Sequence, residues 1–177
     1  MRRFINVFII LGIWMISSIC FAGYQDVYFN GDKNYIQVGG SGTNNTNYID
    51  RSSLNVHKYE PPYYIIAINN IPYAQGVPGR QDHFVWKGMS TYRYMYDYNT
   101  HKMYVELFDK NKQPYWQYLD INFYDRKRYS SAKLFTTPSA MDVYFARGEI
   151  AFALAYNMSF YDKPLSGYAK RYFETLK

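Results

Sequence analysis

The stretch from Tyr92 to Phe123 admits few folds. It alternates residue types in three runs separated by two short polar breaks. The first run is Tyr92-Arg93-Tyr94-Met95-Tyr96-Asp97-Tyr98, and the second is Met103-Tyr104-Val105-Glu106-Leu107-Phe108. Asp109-Lys110-Asn111-Lys112-Gln113 then leads into a third run, Pro114 through Phe123. Strand-like runs joined by short polar turns predict an antiparallel meander. Successive side chains of a strand face opposite ways. Tyr92, Tyr94, Tyr96 and Tyr98 therefore share one face, and Arg93, Met95 and Asp97 the other. Met103, Val105 and Leu107 form the expected core side of the second strand.

The four-tyrosine row has two readings. Tyrosine favours strands and stacks well across them, which makes the row structural. An aromatic ladder can also be a platform for sugar or protein surfaces, because large rigid rings lose little entropy on contact. On that second reading Tyr92, Arg93, Tyr94, Tyr96 and Tyr98 are the candidate binding residues.

The first twenty-two residues have a separate purpose. Met1-Arg2-Arg3 is a positive start, and Ile5 to Ile16 is apolar apart from Asn6 and Gly12. Ser17 to Ala22 ends with small residues suited to cleavage after Ala22. This is the pattern of a secretory signal peptide. The apolar run is shorter than the roughly twenty residues a membrane span needs. Residues 1–22 are therefore expected to be removed, leaving 23–177 as a single domain with no stable membrane span. The only cysteine is Cys20, and Ile19 before it is not the small residue of a lipidation signal. A mature chain without cysteine has neither disulfides nor thiol chemistry. That favours a bacterial exported protein, located in the periplasm, at the cell surface or outside the cell.

Composition narrows the rest. A chain of 177 residues suits one domain, and its 48% apolar content supplies a core. Loss of Arg2 and Arg3 would lower the formal charge of +6 by two. A mild positive excess favours acidic partners without specifying one. The basic run Arg126-Lys127-Arg128 is too short to argue for nucleic acid.

Taken in order, the mature chain starts with a turn signal at Asn30-Gly31-Asp32 and a short strand at Tyr35–Val38. The loop Gly39 to Asn47 follows; it lacks the Gly-Lys-Ser/Thr of a phosphate-binding loop. Tyr48-Ile49-Asp50 reads as a strand end, Arg51-Ser52-Ser53 as a turn and Leu54 to Tyr59 as a new strand. Pro61-Pro62 breaks the chain. Tyr63 to Asn70 is nearly all apolar and suits a buried strand that Pro72 ends. Gln75 to Asp82 is a loop, and Phe84-Val85-Trp86 leads into the meander.

Thr137-Pro138 marks a helix start, with Pro138 at the first helical position. Apolar residues at helical spacing predict a helix from about Pro138 to Met158, covered nearly all round. Gly148 on its apolar stripe costs about 1 kcal/mol relative to Ala, which implies a close approach to the sheet. Lys163 to Gly167 separates a final short helix, about Tyr168 to Leu176. The expected class is α+β: an antiparallel meander sheet of about five or six strands with a long C-terminal helix packed on one face.

The chemistry-bearing residues are sparse. His57, His83 and His101 show no paired spacing, so local metal ligation is unsupported and no metal or other cofactor is expected. No Gly-x-Ser-x-Gly elbow marks a nucleophile. Asp82-His83 in its Gly/Pro-rich loop is the least ordinary candidate for catalysis. Asp97, Glu106, Asp109 and Asp120 fall on or near the sheet, where surface positions are the default.

The element Tyr48-Ile49-Asp50-Arg51-Ser52-Ser53-Leu54 precedes a strand pair and a meander with a short turn before Tyr104-Val105-Glu106-Leu107. Over about Tyr35 to Phe123 this resembles the surface-adhesin E-like family of small exported bacterial proteins. The resemblance implies a small α+β domain with an antiparallel sheet. Named members bind host matrix proteins, so it also implies an adhesin-like role. The chain departs from that type in having no lipobox and none of the cysteines some members carry, and no binding residue carries over. The expected function is a non-catalytic binding module of the bacterial envelope. Its expected partner is an extracellular protein or polysaccharide, not nucleic acid. An envelope hydrolase using His83 or a carboxylate pair, and a structural subunit of an envelope assembly, are the alternatives.

Overall fold

The computed structural model describes residues 27–41, 45–74, 83–119 and 138–177. The expected signal segment, Cys20, the loop Gln75–Asp82, Asp120 to Phe123 and the run Arg126 to Arg128 lie outside the described residues.

The strands are β1 (Tyr28–Phe29), β2 (Asp32–Ser41), β3 (Asn45–Glu60), β4 (Tyr63–Ala74), β5 (His83–Phe84), β6 (Ser90–Asp97), β7 (Lys102–Phe108) and β8 (Pro114–Leu119). Among the described residues they form one eight-stranded sheet in the order β1-β2-β3-β4-β6-β7-β8, with β5 paired to β4. Every pairing is antiparallel. The excess over the expected five or six strands comes from β1 and β5, two residues each. Two helices follow: α1 (Pro138–Tyr156) and α2 (Gly167–Glu174).

The meander is β6-β7-β8, and its polar breaks are side-chain-supported turns. At the second break the Asp109 carboxylate accepts the N–H groups of Asn111 and Gln113, each at 2.8 Å. Asp and Asn favour turns because their side chains bond the backbone this way. Asn30 and Gly31, both at positive φ (49° and 79°), join β1 to β2 as a tight hairpin turn. Pro61-Pro62, joined by a cis peptide bond, connects β3 to β4.

Three sequence expectations for this half need correction. The loop expected over Gly39 to Asn47 is strand at both ends: Gly39 pairs with Asn47, Gly40 with Thr46 and Ser41 with Asn45. Arg51-Ser52-Ser53 does not end a strand. β3 runs unbroken for 16 residues and carries a bulge, so that Asp50 faces Asn69 while Asn55 faces Ala67. The Asp50 carboxylate accepts Ser52 N–H at 2.9 Å and Ser52 Oγ–H at 2.6 Å. Ser53 Oγ donates to Asp50 O at 2.6 Å and accepts Asn69 N–H at 2.9 Å. The turn-forming residues satisfy their own backbone, and the chain then re-enters the ladder. Pro72 likewise fails to end β4, which continues to Ala74. A proline removes only a donor; its carbonyl accepts Val85 N–H at 2.7 Å.

The core lies between the sheet and α1. Opposed residues in an antiparallel pair share a face. Ile66 faces Tyr94, which faces Val105, and Tyr96 faces Met103, which faces Leu119. All six are fully buried, together with Phe145, Ile150 and Phe152 of α1. Gly148 sits where α1 comes closest. A Cβ there would collide with Met103 Sδ and lie 3.0 Å from two carbons of the Tyr94 ring. Gly39 of β2 makes the same allowance for Val143.

Two buried ionisable side chains flank Gly148. Arg147 Nη2 donates to Asn70 Oδ1 at 2.9 Å and Nη1 donates to Tyr94 Oη at 3.3 Å. Its guanidinium lies 3.8 Å from the Tyr92 ring centre and 5.3 Å from that of Tyr144. A desolvated cation over such faces gains about 2 kcal/mol. Asn70 Nδ2 donates onward to Asn47 at 3.0 Å, so one network ties β3, β4, β6 and α1.

Glu149 faces the C-terminal segment. Its carboxylate accepts Leu165 N–H at 3.1 Å from both oxygens and Ser166 N–H at 3.2 Å. Ser166 in turn caps α2, accepting from Tyr168 and Ala169 N–H. Burial pushes Glu149 up from its ordinary 4.5 to about 8; the Ser166 and Leu165 N–H groups oppose the rise and Asp142 adds to it. The folded chain thus holds a proton that the unfolded chain releases between about pH 4.5 and pH 8. Stability from this group falls as pH rises through that window and levels off above it. Glu149→Gln keeps an acceptor but carries no charge. We expect the denaturant midpoint of the wild type, taken relative to this variant, to fall between pH 5.5 and pH 8.5. A pH-independent difference would contradict the assignment.

Candidate functional site

The tyrosine row is the seat of α1, as the structural one of its two readings has it; the platform reading is corrected, because Tyr94 and Tyr96 are buried. Tyr94 and Tyr96 are fully buried, and Tyr92 and Tyr98 are half-buried against the same core. Tyr96 Oη donates to Gly148 O at 2.8 Å. Tyr98 stacks on Phe152 with ring centres 5.7 Å apart, and Tyr92 meets Tyr144 edge-on at 5.7 Å. Burial raises the Tyr94 and Tyr96 hydroxyls well above the usual phenol range; Arg147 partly opposes the rise at Tyr94. Both are neutral phenols that hold structure.

Arg93 points the other way. It bonds Glu106 at 2.7 Å and lies 5.7 Å from the Trp116 ring centre. Tyr104 and Tyr118 pair beside it with ring centres 5.3 Å apart. The sequence-derived set is therefore split between two faces of the sheet and forms no common site. Asp97 and Asp109 support turns, and His83 lies exposed on β5, with Asp82 outside the described residues. Among the described residues no group of three His, Cys, Asp or Glu could hold a metal. No helix of the described residues is long and apolar enough to cross a membrane.

A cleft opens at the other end of the sheet, where α1 ends and α2 crosses β1–β3. Its volume is about 580 Å³, within the range of about 300–1,000 Å³ typical of small-ligand sites. Five segments build it. Tyr28 comes from β1, Lys33 and Ile36 from β2, and Arg51 from the β3 bulge. α1 contributes Ala153 and Leu154, and Asn157 to Ser159 follow it. Tyr172, Phe173, Thr175 and Leu176 close the far wall.

Local chemistry explains each placement. Asn157 ends α1 at φ 54°, a left-handed position that asparagine tolerates, and its N–H bonds Ala153 O at 2.8 Å. That reversal brings Met158 and Ser159 to the rim. The bulge beside Asp50 takes Arg51 out of the regular ladder. Tyr28 Oη and Thr175 Oγ1 lie 3.0 Å apart, tying the sheet edge to the end of α2. Burial raises the Tyr172 hydroxyl, Tyr28 adding to the rise and Arg51 opposing it. Lys33 and Arg51 are exposed, and neither has an ion pair or hydrogen bond among the described residues.

The sequence reading missed this cleft. No spacing or motif joins residues 28, 33, 51, 157 and 172; only the crossing of α2 over the β1–β2 hairpin does. With this geometry in view, no protein-family model, curated protein or solved structure matches the chain.

If the tyrosine row is structural, its variants change stability. Tyr94→Ala and Tyr96→Ala should each cost about 3–5 kcal/mol of unfolding free energy, and Tyr96→Phe about 1 kcal/mol through the lost bond to Gly148. Urea unfolding followed by circular dichroism reads these losses. Variants as stable as the wild type would contradict a core role.

Proposed function

We propose that this chain is an exported, non-catalytic binding module of the bacterial envelope, and that its ligand occupies the cleft between α1, α2 and β1–β3. The observation that carries this reading is the cleft itself: a concave site of about 580 Å³ with walls of mixed polar and apolar groups and two cations that no described residue pairs with. Ligand sites commonly combine an apolar body with a few convergent polar groups. Export is supported by the first twenty-two residues, and an adhesin-like binding role by the resemblance over Tyr35 to Phe123. The hydrolase reading has less behind it. His83 is not among the cleft residues. The most perturbed carboxylate, Glu149, is spent on holding Leu165 and Ser166.

The far wall, α2, is anchored at both ends. Glu149 fixes the start of α2, and the Tyr28–Thr175 contact fixes its end. The cleft is thereby formed before a ligand arrives, which lowers the ordering cost of binding.

Titration of the isotope-labelled chain, from Gly23 onward, with a panel of short peptides, oligosaccharides and single-chain amphiphiles tests the reading. Amide shifts should cluster on Lys33, Arg51, Asn157 to Ser159 and Thr175. Ser159→Trp, a change at an exposed rim position, should abolish them while leaving the unfolding midpoint unchanged. Shifts that cluster elsewhere, or that survive Ser159→Trp, would overturn the assignment.

A further inference from the structure

The cleft has a charge imbalance that narrows its ligand. Lys33 and Arg51 bring two full positive charges to it. Among the described residues no acidic side chain lines it. The opposing charge comes from the C-terminal ends of α1 and α2, which both run into the cleft wall. A helix end of this kind presents about half a negative charge, so two ends leave an excess of about one positive charge. Neither cation docks on the carbonyls at those ends: none of the described hydrogen bonds there involves Lys33 or Arg51. Their heads remain available to a ligand.

The walls also carry directional polar groups at the rim. Asn157 and Ser159 offer an amide and a hydroxyl, and the rings of Tyr28, Tyr172 and Phe173 stand among them; the Thr175 hydroxyl is already engaged, donating to Tyr172 O at 2.7 Å and lying 3.0 Å from Tyr28 Oη. Aromatic faces set among amide and hydroxyl groups suit a flat, hydroxyl-rich body with one apolar face. A long acyl chain needs a continuous apolar trough, and the polar groups of Asn157, Ser159 and Thr175 interrupt this one.

We infer that the cleft binds a short acidic oligosaccharide, with a sugar ring against Tyr28 and Phe173 and one sugar carboxylate between Lys33 and Arg51. This rests on the cleft being the ligand site and adds the ligand's class. Arg51 presents a fork of donors that matches a carboxylate's two oxygens. Lys33 supplies a flexible point charge. Asn157 and Ser159 hold the sugar hydroxyls. No covalent step is involved.

The test uses the α-1,4-linked trimer of galacturonic acid, its methyl ester and inorganic phosphate. The ester keeps the ring shapes and removes the charge. The trimer should bind the wild type with amide shifts at Asn157, Ser159 and Thr175. The ester should bind at least tenfold more weakly, and phosphate should not displace the trimer at equal concentration. Lys33→Gln/Arg51→Gln should weaken the trimer at least tenfold. Both positions are exposed, so the variant should keep the wild-type unfolding midpoint. Equal binding of ester and trimer, insensitive to the double substitution but lost on Ser159→Trp, would overturn the acidic class and leave the cleft standing. Displacement by phosphate would overturn the sugar, because any small anion would then suffice. No binding of the trimer or its ester would overturn the inference, and the broader ligand panel then decides the cleft by itself.

Discussion

The close approach of α1 to the sheet at Gly148 is the constraint on which the rest depends. With no side chain at that position, the helix backbone comes down onto Tyr94 and Met103. Only at that distance can Tyr96 donate to Gly148 O and Tyr94 accept from Arg147. A hydroxyl left without its partner in a core costs about 1–3 kcal/mol. Lifting the helix by the thickness of a methyl group would strand two such hydroxyls at once. Tyrosine in these positions therefore specifies the helix height as well as filling space.

The same placement orients the two ionisable side chains beside Gly148. Arg147 is carried towards β3, β4 and β6, where Asn70 and the faces of Tyr92 and Tyr144 receive it. Glu149 is carried towards the returning chain, where backbone N–H groups receive it. Buried polar and charged groups are costly unless satisfied, so each defines what must lie opposite it. Glu149 fixes where α2 begins, and α2 is the far wall of the cleft. Structure and proposed function are thus linked through one helical turn: Gly148 sets the height, Arg147 the sheet contact and Glu149 the cleft wall.

Much of this architecture was legible in the sequence because local chemistry and tertiary fold agree there. The alternation of the meander, the aspartate-supported break after Phe108, Pro138 at the helix start and the helical glycine all carry their meaning within a few residues. The failures share a cause. Arg51-Ser52-Ser53 has turn chemistry, but the ladder with β4 resumes beyond it, and only the partner strand reveals that. Pro72 survives inside β4 because Val85 arrives from a different segment to use its carbonyl. The tyrosine row has the same alternation whether it faces water or a helix, and the deciding residue, Gly148, lies 52 positions downstream of Tyr96. The cleft was wholly illegible, since its two cations lie on different strands and its far wall is set by Glu149 reaching Leu165 and Ser166.

The most direct test of this account is a double-mutant cycle on Gly148→Ala and Met103→Ala, read as unfolding free energies. Overpacking a core by one methyl costs about 1–3 kcal/mol, and truncating a buried methionine about 2–5 kcal/mol. If the methyl at position 148 collides with the Met103 side chain, removing that side chain relieves the collision. The double variant is then less destabilised than the sum of the single variants, by about 0.5–3 kcal/mol. Additive losses, equal to the sum within about 0.5 kcal/mol, would mean that α1 does not rest on the tyrosine face at Gly148, and the account built on that contact would fall.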